Sequence, residues 1–465
     1  MRHRRPALLL ACLIACSTCT SDEPPERPPN IIFIMADDLG YGDLGSYGQT
    51  IIQTPNLDRM AAEGLRFTNY YAGSTVCAPS RCVLMTGLHT GHCRIRGNAR
   101  VPLEPADVTV AEVLKEAGYT TGLVGKWGLG EEGSTGLPTR QGFDYFFGYL
   151  NQVRAHNYYP DFLWRNEEKV PLDNVIEFVQ EGRAKGLGSY AIDKQQYSHD
   201  LFTEEALAFI ERHQAQPFFL YLAYTIPHAN NESRFADEHG MEVPDFGAYA
   251  GEEWPEAEKG MAAMVSRLDA DVGRLLQRLG DLGLGENTLV LFTSDNGPHG
   301  EGRHDSRFFD SNGPLRGIKR DLYEGGIRVP MIAHWPGTIA AASVTDHVSA
   351  FWDFLPTAAE LAGVAPPEET DGISFAPTLM GREQPAHEYL YWEFFERGVK
   401  QAIRRGSDKA VHFWEADSTE LYDLSRDIEE TQNLADDHPE RVDSLLSLMR
   451  QARTPSEHWT LPEEQ

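Results

Sequence analysis

Two short stretches place oxygen ligands side by side. "ADDLG" carries Asp37 and Asp38, and "TSDNGPHG" carries Asp295 and Asn296. Three carboxylates and a carboxamide form a hard, all-oxygen set suited to Ca²⁺ or Mg²⁺. Converging without a cation, the carboxylates would repel one another strongly. The same dipeptides also cap helices and form turns, so each pair alone decides nothing. His228 in "IPHAN" suits proton transfer near neutral pH. Lys126 in "VGKWG" is a cation at the end of an apolar run. Cys77 in "VCAPSRCVLMTG" has four readings: a core thiol, half of a disulfide, a nucleophile, or a side chain converted into another group.

These residues need elements to bring them together. Ile31–Met35 of "NIIFIMADDLG", "YTTGLVGKWG", "PFFLYLAYTIPH" and "NTLVLFTSDNG" read as buried strands, and the chemical residues lie at or just beyond the carboxyl ends of their apolar runs. Helical patterns lie between, in "TPNLDRMAAEG", "DVTVAEVLKEAG", "SHDLFTEEALAFIERH" and "EKGMAAMVSRLDADVGRLLQRLG". "RVPMIAHWPG" reads as a further strand and "DFLPTAAELAG" as a further helix. The alternation predicts an α/β fold, a large mostly parallel sheet sandwiched by helices, with its ligands beyond the carboxyl ends of the strands. From residue 385 the texture changes to short strands, "EYLYWEFFE", "GVKQAIRRG" and "KAVHFWEA", and a closing polar helix. That predicts a small C-terminal α+β antiparallel subdomain. The segments around "AEGLRFTNYYAGSTVCAPSR" and "RFFDSNGPLRGIKRDLYEGG" read as loops lining a site.

The chain begins with a basic start and a short apolar run ending in "LIAC", Leu13–Cys16. This reads as a secretory signal whose Cys16 becomes a lipid-bearing first residue. The organisation expected is a signal peptide with lipobox over 1–16 and a flexible tether over 17–29. A catalytic domain over 30–384 and the C-terminal subdomain over 385–465 follow. The protein is thus expected outside the cytoplasm, periplasmic or at the cell surface, touching membrane only through its anchor. Three cysteines remain in the folded part, so at least one is unpaired. Cys82 and Cys93 are either core thiols or a disulfide. With 465 residues and a formal net charge of −29, the chain has ample core and no basic surface for nucleic acid. An anionic substrate would need a local cluster of positive charge.

The ordered series "ADDLGYGDLGSYG", "CAPSR…MTG", "GKWGLG", "IPHAN", "TSDNGPHG", "IKRDLYEGGIRVP" and "LYDLSRDIEETQNLA" resembles the type I, formylglycine-dependent sulfatases of the alkaline-phosphatase-like superfamily. The resemblance spans most of the chain. It implies that a maturation enzyme reading Cys77, Pro79 and Arg81 oxidises Cys77 to formylglycine. The hydrated aldehyde would attack sulfur and later expel sulfate through its second hydroxyl. It implies one Ca²⁺, with Mg²⁺ as the alternative, on Asp37, Asp38, Asp295, Asn296 and the Cys77-derived group. Arg81, Lys126 and Lys319 would surround nucleophile and sulfate, with Arg316 and Arg320 as competitors for the role of Lys319. His228 would protonate the leaving oxygen.

One departure stands out. The family's commonest motif continues as K-W-H, whereas this chain has Gly128 there. His156 is the candidate to replace that histidine as base, and His299 the second. Tyr158, Tyr159, Phe162 and Trp164 could equally stack on a sugar or fill the core. The substrate expected is a sulfated carbohydrate, with small sulfate esters also accepted. Rival readings are a phosphoester or phosphonate hydrolase of the same superfamily and a non-catalytic binder of sulfated glycans.

Overall fold

The computed structural model describes residues 27–464 apart from residue 183. The expected signal peptide, with Cys16, and nearly all of the expected tether lie outside the described residues. No helix among those described is long and apolar enough to cross a membrane.

The core is a ten-stranded sheet. Its centre is five parallel strands in the order Thr288–Ser294, Asn30–Ala36, Phe218–Ala223, Thr120–Lys126, Tyr145–Tyr149. Every residue of Asn30–Ala36 is buried. Ile31, Phe33 and Met35 enter one apolar layer, and Ile32, Ile34 and Ala36 the other. A strand covered on both faces must be apolar at every position, which is why no alternation shows in "NIIFIMA". One layer is closed by the helices Val110–Glu116 and Phe354–Ala362, the other by Pro55–Glu63, Ser198–His213 and Glu256–Asp281.

The sheet is mixed at its margins. Met331–His334 runs antiparallel beside Thr288–Ser294, and Leu65–Phe67 and Ser343–Thr345 complete that edge. The other edge is a hairpin of Phe162–Arg165 and Glu168–Pro171. Gly125 makes the close packing before Lys126 possible. At φ 113° a Cβ there would stand 1.9 Å from the carbonyl oxygen of Ala223 on the adjacent strand.

The C-terminal region is an antiparallel sheet of four strands, Leu390–Phe394, Lys400–Arg405, Asp408–Phe413 and Ser418–Asp423. The last was missed because it is polar and lies at the edge. One face packs on the main core through Trp392, Ala402 and Val411. The other packs on the helix Pro439–Gln451 through Leu445 and Met449.

A buried ion cluster ties the C-terminal sheet to the loops and short helix of the main domain. Lys409 Nζ donates to Glu324 Oε1 at 2.9 Å and lies 2.8 Å from Glu430 Oε1. Glu324 also accepts from Tyr71 at 2.6 Å and Arg328 at 3.1 Å. Removing one partner of such a set leaves uncompensated charge in a dry interior. Lys409→Met is expected to cost about 3–5 kcal/mol of stability. A urea unfolding midpoint equal to that of the parent chain would refute this.

Candidate active site at the carboxyl edge of the sheet

The site gathers where the central parallel strands end. Asp37 and Asp38 follow Asn30–Ala36, Asp295 and Asn296 follow Thr288–Ser294, Lys126 closes Thr120–Lys126, and His228 lies on the loop after Phe218–Ala223. Cys77 is the first residue of a ten-residue helix, Cys77–Thr86, and all ten are buried. This corrects the expectation of a loop through "CAPSR". Pro79 falls in the first turn, where the missing N–H costs no helical bond. The exposed N–H of Ala78 is capped by Asn98 Oδ1 at 3.1 Å. The positive end of the helix dipole therefore lies at Cys77.

Carboxylates and cations interlock around the sulfur. Cys77 Sγ lies 3.4 Å from Asp37 Oδ1. Lys126 Nζ donates to Asp37 Oδ2 at 2.7 Å, and Lys319 Nζ donates to Asp38 Oδ2 at 2.7 Å. Arg81 donates to Asp295 Oδ2 at 2.8 Å and to the carbonyl of Lys126 at 2.8 Å, and stands 3.5 Å from Asp37. The Asp38 N–H, at a left-handed φ of 69°, donates to Asp295 Oδ1 at 3.1 Å. Lys319 rather than its neighbours fills the inner cation position. Arg316 turns away to Tyr422 and the carbonyl of Glu430, and Arg320 lies farther out on the cavity wall.

Burial alone would raise Asp37 and Asp38. Lys126 and Arg81 outweigh it at Asp37, and Lys319 and His228 at Asp38, so both are held below the usual carboxylate range. Asp295 goes the other way: burial, then repulsion from Asp37, raise it to about 7 against the pull of Arg81. Crowded acids in a dry site cannot all ionise cheaply without further positive charge. Burial, then Asp37, push the Cys77 thiol up, so it stays protonated.

The donor set fits a divalent cation. Asn296 Nδ2 donates to Asp38 Oδ1 at 2.7 Å and to the carbonyl of Gly297 at 2.9 Å. That leaves Asn296 Oδ1 buried with no hydrogen-bond partner. An orphaned carboxamide oxygen beside three carboxylates is a ligand set for a hard ion. Asp37, Asp38, Cys77 and His228 also present ligand atoms within 4.8 Å of one another.

His228 donates from Nδ1 to the carbonyl of Ala229 at 2.7 Å, which leaves Nε2 to accept from Lys319 Nζ at 3.0 Å. Burial, then Lys319, lower its pKa, so the ring is neutral. His156 stacks on it with ring centres 4.7 Å apart, and its Nδ1 pairs with Glu232 at 2.9 Å. His299 is spent on structure. It pairs with the carbonyl of Pro227 at 3.0 Å through Nε2 and accepts from the Glu301 N–H at 3.0 Å through Nδ1. Tyr158, Tyr159 and Trp164 are core residues, and Phe162 packs against the core beneath Arg154. The sugar-stacking alternative for this group is thereby set aside. Cys82 and Cys93 are free, buried thiols, not a disulfide.

A cavity of about 540 Å³ opens onto Cys77, His228, Lys319 and His156. Beside it Gly128 adopts φ 80°, and a Cβ there would meet Gln152 Cγ at 2.8 Å. Gln152 Nε2 in turn donates to Asn98 Oδ1 at 3.2 Å, the oxygen that caps the Cys77 helix. The outer wall also carries Arg320, which the sequence offered only as a competitor for the role of Lys319, and Glu396, which sequence reasoning did not find.

The comparisons with known proteins agree with this geometry. A family model described as Sulfatase matches residues 29–364, and one described as N-sulphoglucosamine sulphohydrolase, C-terminal, matches residues 317–453. Arylsulfatase A of Homo sapiens is 36% identical over 451 residues, covering 88% of this chain and 83% of that protein. N-acetylgalactosamine-6-O-sulfatase of Bacteroides thetaiotaomicron is 32% identical over 497 residues, covering 92% and 94% respectively. The solved structure of Ps i-CgsB in complex with k-i-k-neocarrahexaose superposes with a TM-score of 0.77 at 28% identity, over 91% of this chain and 92% of that one. With that coverage and identity, and with the shared fold, the chain belongs to the sulfatase family and is a sulfuric ester hydrolase.

Proposed function

We propose that the protein hydrolyses sulfate esters of carbohydrates at Cys77, after oxidation of that residue to formylglycine and with one Ca²⁺ bound. The observation that carries the reading is the placement of Cys77. It starts a buried helix with its sulfur 3.4 Å from Asp37, inside a shell of three carboxylates and three cations. A buried thiol held in its protonated form is a poor nucleophile, and the same position suits a hydrated aldehyde. One hydroxyl of that hydrate attacks sulfur, and the other, on losing its proton, expels sulfate and restores the aldehyde.

Asp37, Asp38, Asp295 and Asn296 would hold the cation, whose charge would polarise a sulfate oxygen and favour a deprotonated hydroxyl at residue 77. The chain's own residues do the rest. Arg81 and Lys126 brace Asp37 and Asp295 and fix the nucleophile's surroundings. Lys126 and Lys319 supply preorganised positive charge for the sulfate. The three carboxylates and the three cations balance in number, so a bound divalent ion leaves the site positive inside an acidic chain. His228 protonates the leaving oxygen from Nε2 in its imidazolium form; at rest that nitrogen is unprotonated and accepts from Lys319 Nζ, so the ring takes up a proton before it acts. Because Glu232 occupies Nδ1 of His156, Nε2 of that ring is the nitrogen free to act as base in place of the histidine absent at position 128.

Support for a carbohydrate substrate comes from the relatives, one named N-acetylgalactosamine-6-O-sulfatase and another solved in complex with k-i-k-neocarrahexaose. The leading segment adds export and a lipid anchor at Cys16 to the reading. Peptide mass analysis of the segment around Cys77, from protein made beside a maturation enzyme, tests the modification; an intact thiol in an active preparation would sink it. Matched sulfate and phosphate esters separate this activity from phosphoester hydrolysis, and turnover of neither would leave a glycan binder.

His228→Ala is expected to slow sugar sulfates by about 10²–10⁴-fold, the usual contribution of a general acid. Aryl sulfates, whose leaving groups need little protonation, should lose much less. Equal losses on both substrate types would remove His228 from that role.

A further inference from the structure

Beyond the buried cluster, the charges on the cavity wall are already paired. Arg320 donates from Nη1 to Glu301 Oε1 at 2.7 Å and from Nε to Glu396 Oε2 at 3.4 Å. On the same cavity, Arg100 Nε lies 3.6 Å from Glu131 Oε1. Arg320 is held at φ 78°, a conformation unfavourable for any residue with a Cβ. Its N–H donates to the carbonyl of Thr75 at 3.1 Å and to Thr75 Oγ1 at 2.9 Å, which ties this strained backbone to the segment entering Cys77. Strain of this kind persists only where the surroundings fix it, and it concentrates at functional sites. Glu396 comes from the loop after the strand Leu390–Phe394, so the C-terminal sheet contributes to the wall.

We propose that Arg320 and Glu396, with Glu301 fixing the guanidinium, form the subsite that reads the sugar bearing the sulfate, and that it selects a residue carrying a single anionic group. The inference rests on the sulfate-ester reading above. Guanidinium donors and carboxylate acceptors in a fixed array match sugar hydroxyls, which both donate and accept. The array has no spare cation. One guanidinium faces two carboxylates, and Lys319, 3.8 Å from Glu301, is already taken by Asp38 at 2.7 Å, so a second sulfate or a uronate on the same sugar would meet excess negative charge. The net charge of −29 works in the same direction at longer range.

The test is titration calorimetry in calcium buffer on the full chain carrying Cys77→Ala, which binds without turnover. The 6-sulfates of galactose, N-acetylgalactosamine and N-acetylglucosamine are each compared with a counterpart bearing a second sulfate. At least one monosulfate is expected to bind about tenfold or more tighter than its disulfate, the scale of one charge-assisted contact. Glu396→Gln, which keeps the shape and removes a charge, should narrow that gap by about tenfold. Arg320→Met should weaken all the sugars. Disulfates binding as tightly as monosulfates, a gap unchanged in Glu396→Gln, or no binding by any monosulfate would each overturn the inference. Turnover of p-nitrophenyl sulfate by the matured parent chain is read separately. Turnover with no discrimination among sugars overturns the subsite alone, whereas discrimination in binding with no turnover retains the subsite and overturns the hydrolase reading.

Discussion

Cys77→Ala is expected to abolish turnover of every sulfate ester, by at least about 10⁴-fold, while thermal unfolding stays close to that of the parent chain. The size follows from deleting the nucleophile, since groups that act as a unit lose nearly all their effect together. The structural tolerance follows from position. Residue 77 opens a helix, alanine is the best helix former, and the thiol's one polar contact is a long one, to Asp37. Cys77→Ser makes the companion case. A single hydroxyl can accept the sulfuryl group but has no geminal partner to expel it, so the enzyme should stall after one equivalent of product. Sustained turnover by Cys77→Ser, or residual steady-state activity in Cys77→Ala within tenfold of the parent, would contradict the assignment of residue 77.

Stripping divalent ions with a chelator is expected to remove activity and lower the unfolding temperature together, and calcium should restore both. The stability arm is independent of catalysis. A ligand that binds only the folded state stabilises it by about 2.7 kcal/mol at a concentration one hundred times its dissociation constant. The physical reason is the crowding of Asp37, Asp38 and Asp295, which leaves Asp295 at about 7 without a cation. Asp295→Ala should abolish both calcium responses. Unfolding curves that superimpose across a series from chelator to millimolar calcium would remove the metal from this site.

Much of the architecture was legible because buried parallel strands declare themselves as unbroken apolar runs. The strands Asn30–Ala36 and Thr288–Ser294 could be recognised to within a few residues, and Asp37, Asp38, Asp295 and Asn296 could be placed at their carboxyl ends. The helix Pro55–Glu63 was bounded by its own Pro and Gly. The helix Cys77–Thr86 was not legible. It is buried on every side, so it lacks the polar face that gives helices their period. The hairpin Phe162–Arg165 and Glu168–Pro171 was missed for a related reason: short edge strands carry too few residues to show alternation. Glu396 faces the cavity from the C-terminal region, 76 residues beyond its partner Arg320, and no local pattern marks a residue whose only link to the site is that long-range pairing.

The glycine at position 128 has a consequence for redesign. Its backbone occupies a region open to few other residues, and the methylene of Gln152 stands where any side chain would begin. Gln152 also grips the carboxamide of Asn98, which caps the first turn of the helix Cys77–Thr86. Grafting an imidazole onto 128 alone would therefore evict the glutamine and loosen that grip. The two positions form one interchangeable module, to be swapped jointly or left alone.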